Sequence, residues 1–408
     1  MTSPIPKLSV IVPTYCEAQN LQILVPLIEN AVTHAGLSAE IIIVDDNSPD
    51  NTQAVCELLS LTYPVRLHVR KEERGLSSAV IAGMNLARGD VLLVMDADLS
   101  HPPAKIPELV EALKDPEVDF VIGSRYVAGG ETANDWGLFR WINSKVSTLL
   151  AKPFTLACDP TAGFFCLRRT SFLSAAETLN PIGYKIGLEL IVKCRCRSIL
   201  EIPISFTDRV RGDSKLSLRE QLNYLRHLLR LFQFRYRNLT LFLQFTVVGA
   251  SGFVVDLTLL AMLLKVLSVP YPVARAAAIW AAMTWNFVWN RRWTFSYAAT
   301  GSLAGQYVGF CAGCSLGAVL NWSTSVSLIS YAAFFAKHPL LAALVGIGVG
   351  MVFNFVLCRF AVFRKPGQSP APDEPDIAET GACTAERPPT TVDQSEIDQE
   401  GSGTTIAN

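Results

Sequence analysis

Through about residue 125 the chain alternates short apolar runs with longer stretches of helical period. Residues 8–12 read as a strand that ends in Pro13-Thr14-Tyr15-Cys16-Glu17, and residues 20–35 carry apolar positions three and four apart, the spacing of a helix. A second strand, 40–44, ends in Asp45-Asp46-Asn47-Ser48-Pro49-Asp50. The pattern of strand, polar loop and helix recurs, with strands at 65–69, 91–95 and 120–123 and helices at 75–87 and 103–113. Such alternation predicts a parallel sheet with helices on both faces, and sheets of that kind bind ligands outside the carboxyl ends of their strands. Three polar loops are therefore expected at one crevice.

The sharpest switch of polarity follows the run 91–95, at Asp96-Ala97-Asp98. Alternate residues on a strand share a side, so the spacing predicts two converging carboxylates with the small Ala97 opposite. Two hard oxygens at a strand's carboxyl end suit Mg2+ or Mn2+ carrying a phosphorylated ligand. Taken alone, the tripeptide more often marks a solvated strand end that caps the helix after Pro102-Pro103; the neighbouring loops favour the metal.

From residue 216 the pattern changes. Leu218, Leu222, Leu225, Leu229 and Phe232 fall at helical spacing among Arg219, Arg226, Arg230, Arg235 and Arg237, which predicts amphipathic helices over 216–238 on an anionic membrane surface. A helix packed on the soluble part ranks lower, because the next residues enter lipid. Segments 239–264, 273–289, 304–331 and 339–360 are long and apolar enough to span, giving a four-helix bundle over 239–364. Arg235, Arg237, Arg291, Arg292, Arg359, Arg364 and Lys365 mark one set of ends, against Lys265, Arg275 and Lys337 at the other, so both termini are expected in the cytosol. The bundle repeats itself. Asn286-Phe287-Val288 with Arg291 and Phe295 returns as Asn354-Phe355-Val356 with Arg359 and Phe363, and Gly252 with Asp256 echoes Gly317 with Asn321. Asp256 is an acid deep in a span, with Asn286 or the Arg291–Arg292 region as its expected partner. A structural junction between hairpins is favoured over a flipping role.

Composition agrees: 408 residues, 50% hydrophobic, with a mean hydropathy of +0.30, exceed one core and point to a membrane part. The net charge of -1 hides a split, since nine acidic residues lie after Lys365, in a Pro-, Thr- and Ser-rich tail (365–408) that is expected to be disordered. No nucleic-acid partner is expected. The ten cysteines show no framework and read as reduced thiols, and no signal peptide is expected before the strand at Leu8.

The ordered series Pro13-Thr14-Tyr15-x-Glu17, Asp45 to Asp50, Arg74-Gly75-Leu76-Ser77-Ser78-Ala79, Asp96-Ala97-Asp98-Leu99-Ser100-His101-Pro102-Pro103 and Gly123-Ser124-Arg125-Tyr126 resembles the family 2 glycosyltransferases. The likeness continues through Asp159 to Phe164, Pro181 to Lys185, Glu201 to Ile204 and Asp208 to Lys215, over residues 8–236. Within that family it is most similar to the dolichyl-phosphate mannose synthases. The membrane part resembles the GtrA-like domain. The resemblance implies a GT-A catalytic domain (1–215), α/β with a Rossmann-like mixed sheet. It implies inverting, metal-dependent transfer of mannose from GDP-mannose to dolichyl or another polyprenyl phosphate. Alternatives are UDP-glucose as donor, or a flippase or scaffold that only binds a nucleotide sugar.

Carried onto this sequence, the resemblance implies that Pro13, Tyr15, Glu17, Asp46 and the backbone at Val44 hold the base and ribose. Asp96, Ala97 and Asp98 hold the nucleotide sugar, and Asp98 with Ser100 forms the site for Mg2+ or Mn2+. The enzymes resembled often carry Gln at the Ser100 position, so a bridging water is expected there. Arg125, Arg140 and Ser144 grip the lipid phosphate, with Arg125 and Arg140 grouped with Asp96 and Asp98 as catalytic; Arg125 also belongs to the nucleotide-sugar site, where Arg209 and Lys215 close over the diphosphate.

Overall fold

The computed structural model describes residues 6–132, 138–206 and 218–364. Two units divide the chain, one running to Leu231 and the other beginning at Phe232. The first alternates as the hydrophobic pattern predicts: β1 (Leu8–Thr14), α1 (Ala18–His34), β2 (Ala39–Asp45), α2 (Thr52–Ser60), β3 (Val65–Val69), α3 (Leu76–Leu86), β4 (Val91–Val94), α4 (Ile106–Ala112) and β5 (Phe120–Ser124). It continues through β6 (Glu131–Thr132), α5 (Leu138–Ala151), β7 (Phe165–Arg168), α6 (Arg169–Ala175), α7 (Ile186–Lys193), β8 (Ile199–Pro203), β9 (Ser205–Phe206) and α8 (Leu218–Arg235).

Seven strands form one sheet in the order β3-β2-β1-β4-β7-β5-β8. Strands β1 to β4 are parallel, as is the β5/β8 pair, but β7 runs antiparallel to both β4 and β5. The alternation of elements predicts a parallel sheet; the sheet is mixed, as the GT-A resemblance implies. The reversal has a consequence. Because Phe165 pairs with Val94, β7 starts at the carboxyl end of β4, and the segment 159–164 before it is delivered to the crevice. Side chains alternate across the sheet: Val10 and Val12 of β1 pack with Leu21, Leu24 and Ile28 of α1, while Ile11 packs with Val80 and Met84 of α3. Helix α3 comes close at Gly83, where an added Cβ would stand 2.5 Å from the Ile11 side chain.

Helix α8 is apolar on two sides. Tyr224, His227, Leu228 and Leu231 are buried, with Tyr224 Oη donating to the Ser147 carbonyl (2.7 Å) and Arg230 Nη1 to that of Asn180 (2.9 Å). Leu222, Leu225 and Leu229 are exposed. The helix therefore packs on the first unit, the arrangement ranked lower from sequence, and still presents an outer leucine stripe.

The second unit holds α9 (Arg237–Lys265), α10 (Tyr271–Trp289), α11 (Leu303–Tyr331), the short α12 (Ala333–Lys337) and α13 (Pro339–Leu357). Among the described residues three helical stretches, Arg237–Lys265, Leu303–Tyr331 and Leu344–Val362, are long and apolar enough to cross a membrane. The fourth expected span, α10, is a 19-residue helix that includes Arg275, Asn286 and three tryptophans and is not among the three. The repeat is physical. An added Cβ on Gly252 would lie 2.1 Å from Asn286 Oδ1, and one on Gly317 would lie 2.1 Å from Asn354 Oδ1. Each pair of long helices ends in a π-helical turn, Asn290–Thr294 and Cys358–Val362, and the equivalent Phe295 and Phe363 stack at 4.8 Å and 13°. Arg291 is not aimed at Asp256: it donates to Gln306 Oε1 (2.8 Å) and to the carbonyls of Ala299 and Gly301, closing the turn after the π-helix.

Candidate active site

The loops after β1, β2 and β4 meet at the carboxyl end of the sheet. Pro13 lies in β1 beyond Ile11, the last residue paired with β4, where the ladder has opened and a missing N–H is tolerated. Tyr15 is 42% exposed, with the Arg74 guanidinium 5.6 Å from its ring centre, a flat surface of the kind a base can stack on. Glu17 accepts from Asn20 Nδ2 at 2.6 Å, and Val44 is fully buried, so the strand end at Val44 offers backbone alone. Asp45 staples the turn by accepting from Ser48 N (2.9 Å) and Ser48 Oγ (2.5 Å).

Asp46 behaves differently from the expectation of a ribose acceptor. Its Oδ1 accepts from Nε (2.8 Å) and Nη2 of Arg70, and its Oδ2 from the Gly75 N–H (2.7 Å). Both oxygens are thus used to tie the 70–75 loop, and with it Arg74, to the end of β2. Arg70 was not among the expected residues; nothing nearby in sequence announces a partner 24 positions away.

Strand β4 ends at Val94, so Asp96 and Asp98 stand in the loop and pleat alternation does not orient them. Two neighbours do. The buried His101 accepts the Asp96 backbone N–H at Nδ1 (3.0 Å), which leaves the proton of a neutral ring on Nε2, 3.9 Å from Asp96 Oδ2. Burial depresses the His101 pKa, against the pull of Asp96 and Asp98, and keeps the imidazole neutral. It stacks on Phe164 at 5.2 Å. Asp98 Oδ1 accepts from Ser100 N (3.1 Å) and Ser100 Oγ (2.5 Å) across a turn in which Leu99 takes φ 64°. The Ser100 hydroxyl, 1% exposed, is an orienting donor to Asp98 rather than an open ligand. Ala97 is buried, and Gly163 closes on the carboxylate: a Cβ there would lie 3.0 Å from Asp96 Oδ2.

Arg125, at the end of β5, makes a two-pronged ion pair with the buried Asp159, Nε to Oδ2 at 2.7 Å and Nη2 to Oδ1 at 2.9 Å. Glu201 of β8 bolts the Asp159 loop by accepting from Cys158 N (2.6 Å) and Asp159 N (2.9 Å). Burial opposes the Arg125 charge, but the hydrogen bonds to Asp159 more than restore it and its pKa rises. Tyr126 carries the site to α5: its hydroxyl is 2.7 Å from Ser144 Oγ, and Lys145 Nζ lies 4.1 Å from its ring centre. Arg125 and Ser144 are thereby brought together. Arg140 is on α5 with its side chain outside the described set, and Arg209 and Lys215 lie outside the described residues.

The geometry is a polar crevice with an acidic wall at Asp96–Asp98 and a cationic wall around Arg125. Comparison with known proteins agrees with both units. Residues 9–174 match the model of glycosyl transferase family 2, and residues 244–363 match that of the GtrA/DPMS transmembrane domain. The dolichol-phosphate mannosyltransferase of Pyrococcus furiosus is 40% identical over 357 residues, covering 86% of this chain and 98% of that protein. The dolichol-phosphate mannosyltransferase of Mycosarcoma maydis is 44% identical over 242 residues, 58% of this chain and 82% of the relative. Among solved structures, mannosyl-3-phosphoglycerate synthase from Rubrobacter xylanophilus overlaps 57% of this chain and 76% of its own, at 20% identity and a TM-score of 0.46.

Proposed function

The chain belongs to the dolichol-phosphate mannosyltransferases, integral membrane glycosyltransferases, and we propose that it transfers mannose from GDP-mannose to the phosphate of dolichol or a similar polyprenol. The observation that carries the reading is the crevice itself: Asp96, its backbone held by His101, and Asp98, held by Ser100, share the carboxyl end of a mixed sheet with the Arg125–Asp159 pair, and the Asp96 charge acts on Arg125. Tyr15 and Arg74 offer a stacking surface for the base, and the loop held by Asp46 and Arg70 sets its depth. Asp96 faces the sugar side and Asp98 the diphosphate.

A divalent cation, Mg2+ or Mn2+, belongs to this proposal. Among the described residues no group of three or more His, Cys, Asp or Glu side chains could hold a metal by itself. The donor set fits an ion that takes one or two carboxylates and completes its shell with substrate phosphates and water. When bound, it would neutralise the leaving nucleoside diphosphate. The chain's own residues do the rest. Asp98, fixed by Ser100, supplies the carboxylate; Arg125 and Ser144 orient the acceptor phosphate. That phosphate is already ionised near neutral pH, so orientation and charge neutralisation replace a strong general base, and direct displacement inverts the anomeric centre. The clustering of Arg237, Arg291, Arg292, Arg359 and Arg364 supports a cytosolic first unit.

Purified protein with polyprenyl phosphate and Mg2+ or Mn2+ should move labelled mannose from GDP-mannose into organic-extractable lipid, and chelation should stop it. Transfer from UDP-glucose instead would move the donor assignment and keep the mechanism. Asp98→Ala should lower transfer by about 10²-fold or more while the protein still inserts into membranes; full activity in that variant would overturn the Asp98 assignment.

A further inference from the structure

Lys185 occupies a setting that none of the roles above uses. It caps the N-terminus of α7, and its ammonium lies over two aromatic faces, 4.8 Å from the ring centre of Tyr224 and 5.4 Å from that of Tyr184. Tyr224 is fixed there because its hydroxyl donates to the Ser147 carbonyl on α5. Among the described residues the ammonium has no carboxylate at ion-pair distance. Asp159 is the nearby acid, and it has given both oxygens to Arg125. Glu201 has given both of its own to backbone amides, and Glu220 of α8 lies against Gly183. One carboxylate is thus left between two cations.

Lys185 is half-buried, and holding its ammonium against ring faces costs free energy that an anion in the site would offset. Burial lowers the Lys185 pKa to about 8, with Asp159 opposing that shift and Arg125 adding to it. An oxyanion between Lys185 and Arg125 would satisfy both. Two sources of phosphate oxygen exist, the lipid monophosphate and the donor diphosphate. The first fits better, because the proposed function assigns Arg125 and Ser144 to it, Ser144 is joined to the Arg125 loop through the Tyr126 hydroxyl, and the ring of Tyr224 belongs to α8, whose outer leucines are exposed.

We infer that Lys185 binds the acceptor lipid phosphate, as a second cation beside Arg125 in a subsite that is roofed by Tyr224. The inference rests on the proposed transfer to a polyprenyl phosphate. The subsite would then titrate. The cation is present below pH 8 and lost above it, so affinity for the lipid phosphate falls as pH rises. The phosphate, with its second pKa near 6, is already a dianion across that window. The tyrosine roof does not interfere, since burial pushes the Tyr224 hydroxyl pKa up.

The test measures binding as well as turnover, with the full-length protein in detergent and farnesyl phosphate as probe at pH 7 and pH 9.5. Wild type should bind about tenfold more weakly at the higher pH, the change expected when a charged hydrogen bond is lost. Lys185→Met should bind weakly at both, and Lys185→Arg should flatten the pH response. In turnover, Lys185→Met should raise KM for the lipid phosphate about tenfold and leave KM for GDP-mannose within about twofold. Wild-type affinity for the probe in Lys185→Met at pH 7, or a rise confined to the donor KM, would overturn the inference. Normal probe binding by the wild type without mannose transfer would instead count against the donor reading, and the lysine would still be tested.

Discussion

His101 shows how a single side chain sets the geometry of an acidic loop. Its Nδ1 is committed to the Asp96 N–H and its ring to Phe164, so the Asp96 backbone is held before any ligand arrives. Its folded pKa lies below the ordinary histidine value because burial disfavours the charge. The stability it contributes is therefore present above about pH 6.5 and lost as pH falls through the folded pKa. His101→Phe keeps the stacking and deletes the acceptor. It should cost about 1–3 kcal/mol at pH 7, with the gap to wild type narrowing in acid, as thermal unfolding at pH 7 and pH 5 would read. A gap independent of pH would remove the imidazole from this role.

Helix α8 has two apolar faces, one packed on the first unit and one exposed. Its inner face is held by a buried ionic cluster: Glu189 Oε2 pairs with His227 Nε2 at 2.6 Å, while Oε1 takes Lys193 Nζ at 2.6 Å and Asn180 N at 2.7 Å. Burial opposes the Glu189 charge, and these partners outweigh it, so its pKa falls. Glu189 is thus a structural partner of α8 and Lys193 rather than a group in the crevice. Removing one member of a buried ionic cluster strands the others, and Glu189→Ala should cost about 3–5 kcal/mol. The first unit should then melt lower by roughly 2–4 °C for each kcal/mol lost. Wild-type melting in that variant would mean that α8 is held by its leucines and tyrosine alone.

The two units carry separate cores, one around the sheet and one of phenylalanines between the paired long helices. That phenylalanine core is a two-fold design written into the sequence, since Phe295 and Phe363 are repeat equivalents that stack on each other. An even number of crossings would return the chain to the side where it started. Cysteines introduced at Thr300, beside the arginine-rich turn, and at Ser268, between α9 and α10, should label from opposite sides of sealed vesicles. Thr300→Cys should react from the side of the first unit. Labelling of both from one side would exclude the proposed topology.

Much of this was legible from local pattern. The order of strands and loops, the acidic Asp96–Asp98 turn, the amphipathic character of α8 and the internal repeat all arise from spacing within a few residues, where periodicity maps directly onto a face or a turn. Pairing across the sheet was not legible in the same way. The engagement of Asp46 by Arg70, of Arg125 by Asp159 and of Glu189 by His227 joins residues 24, 34 and 38 positions apart. No local rule distinguishes a carboxylate reserved for a protein cation from one offered to a substrate. The antiparallel entry of β7 is the deciding event, because it delivers the Asp159 loop to Arg125 and Gly163 to Asp96. Local chemistry supplied the groups of the crevice, and the long-range strand order chose their partners, because burial makes each charge depend on what the fold sets beside it.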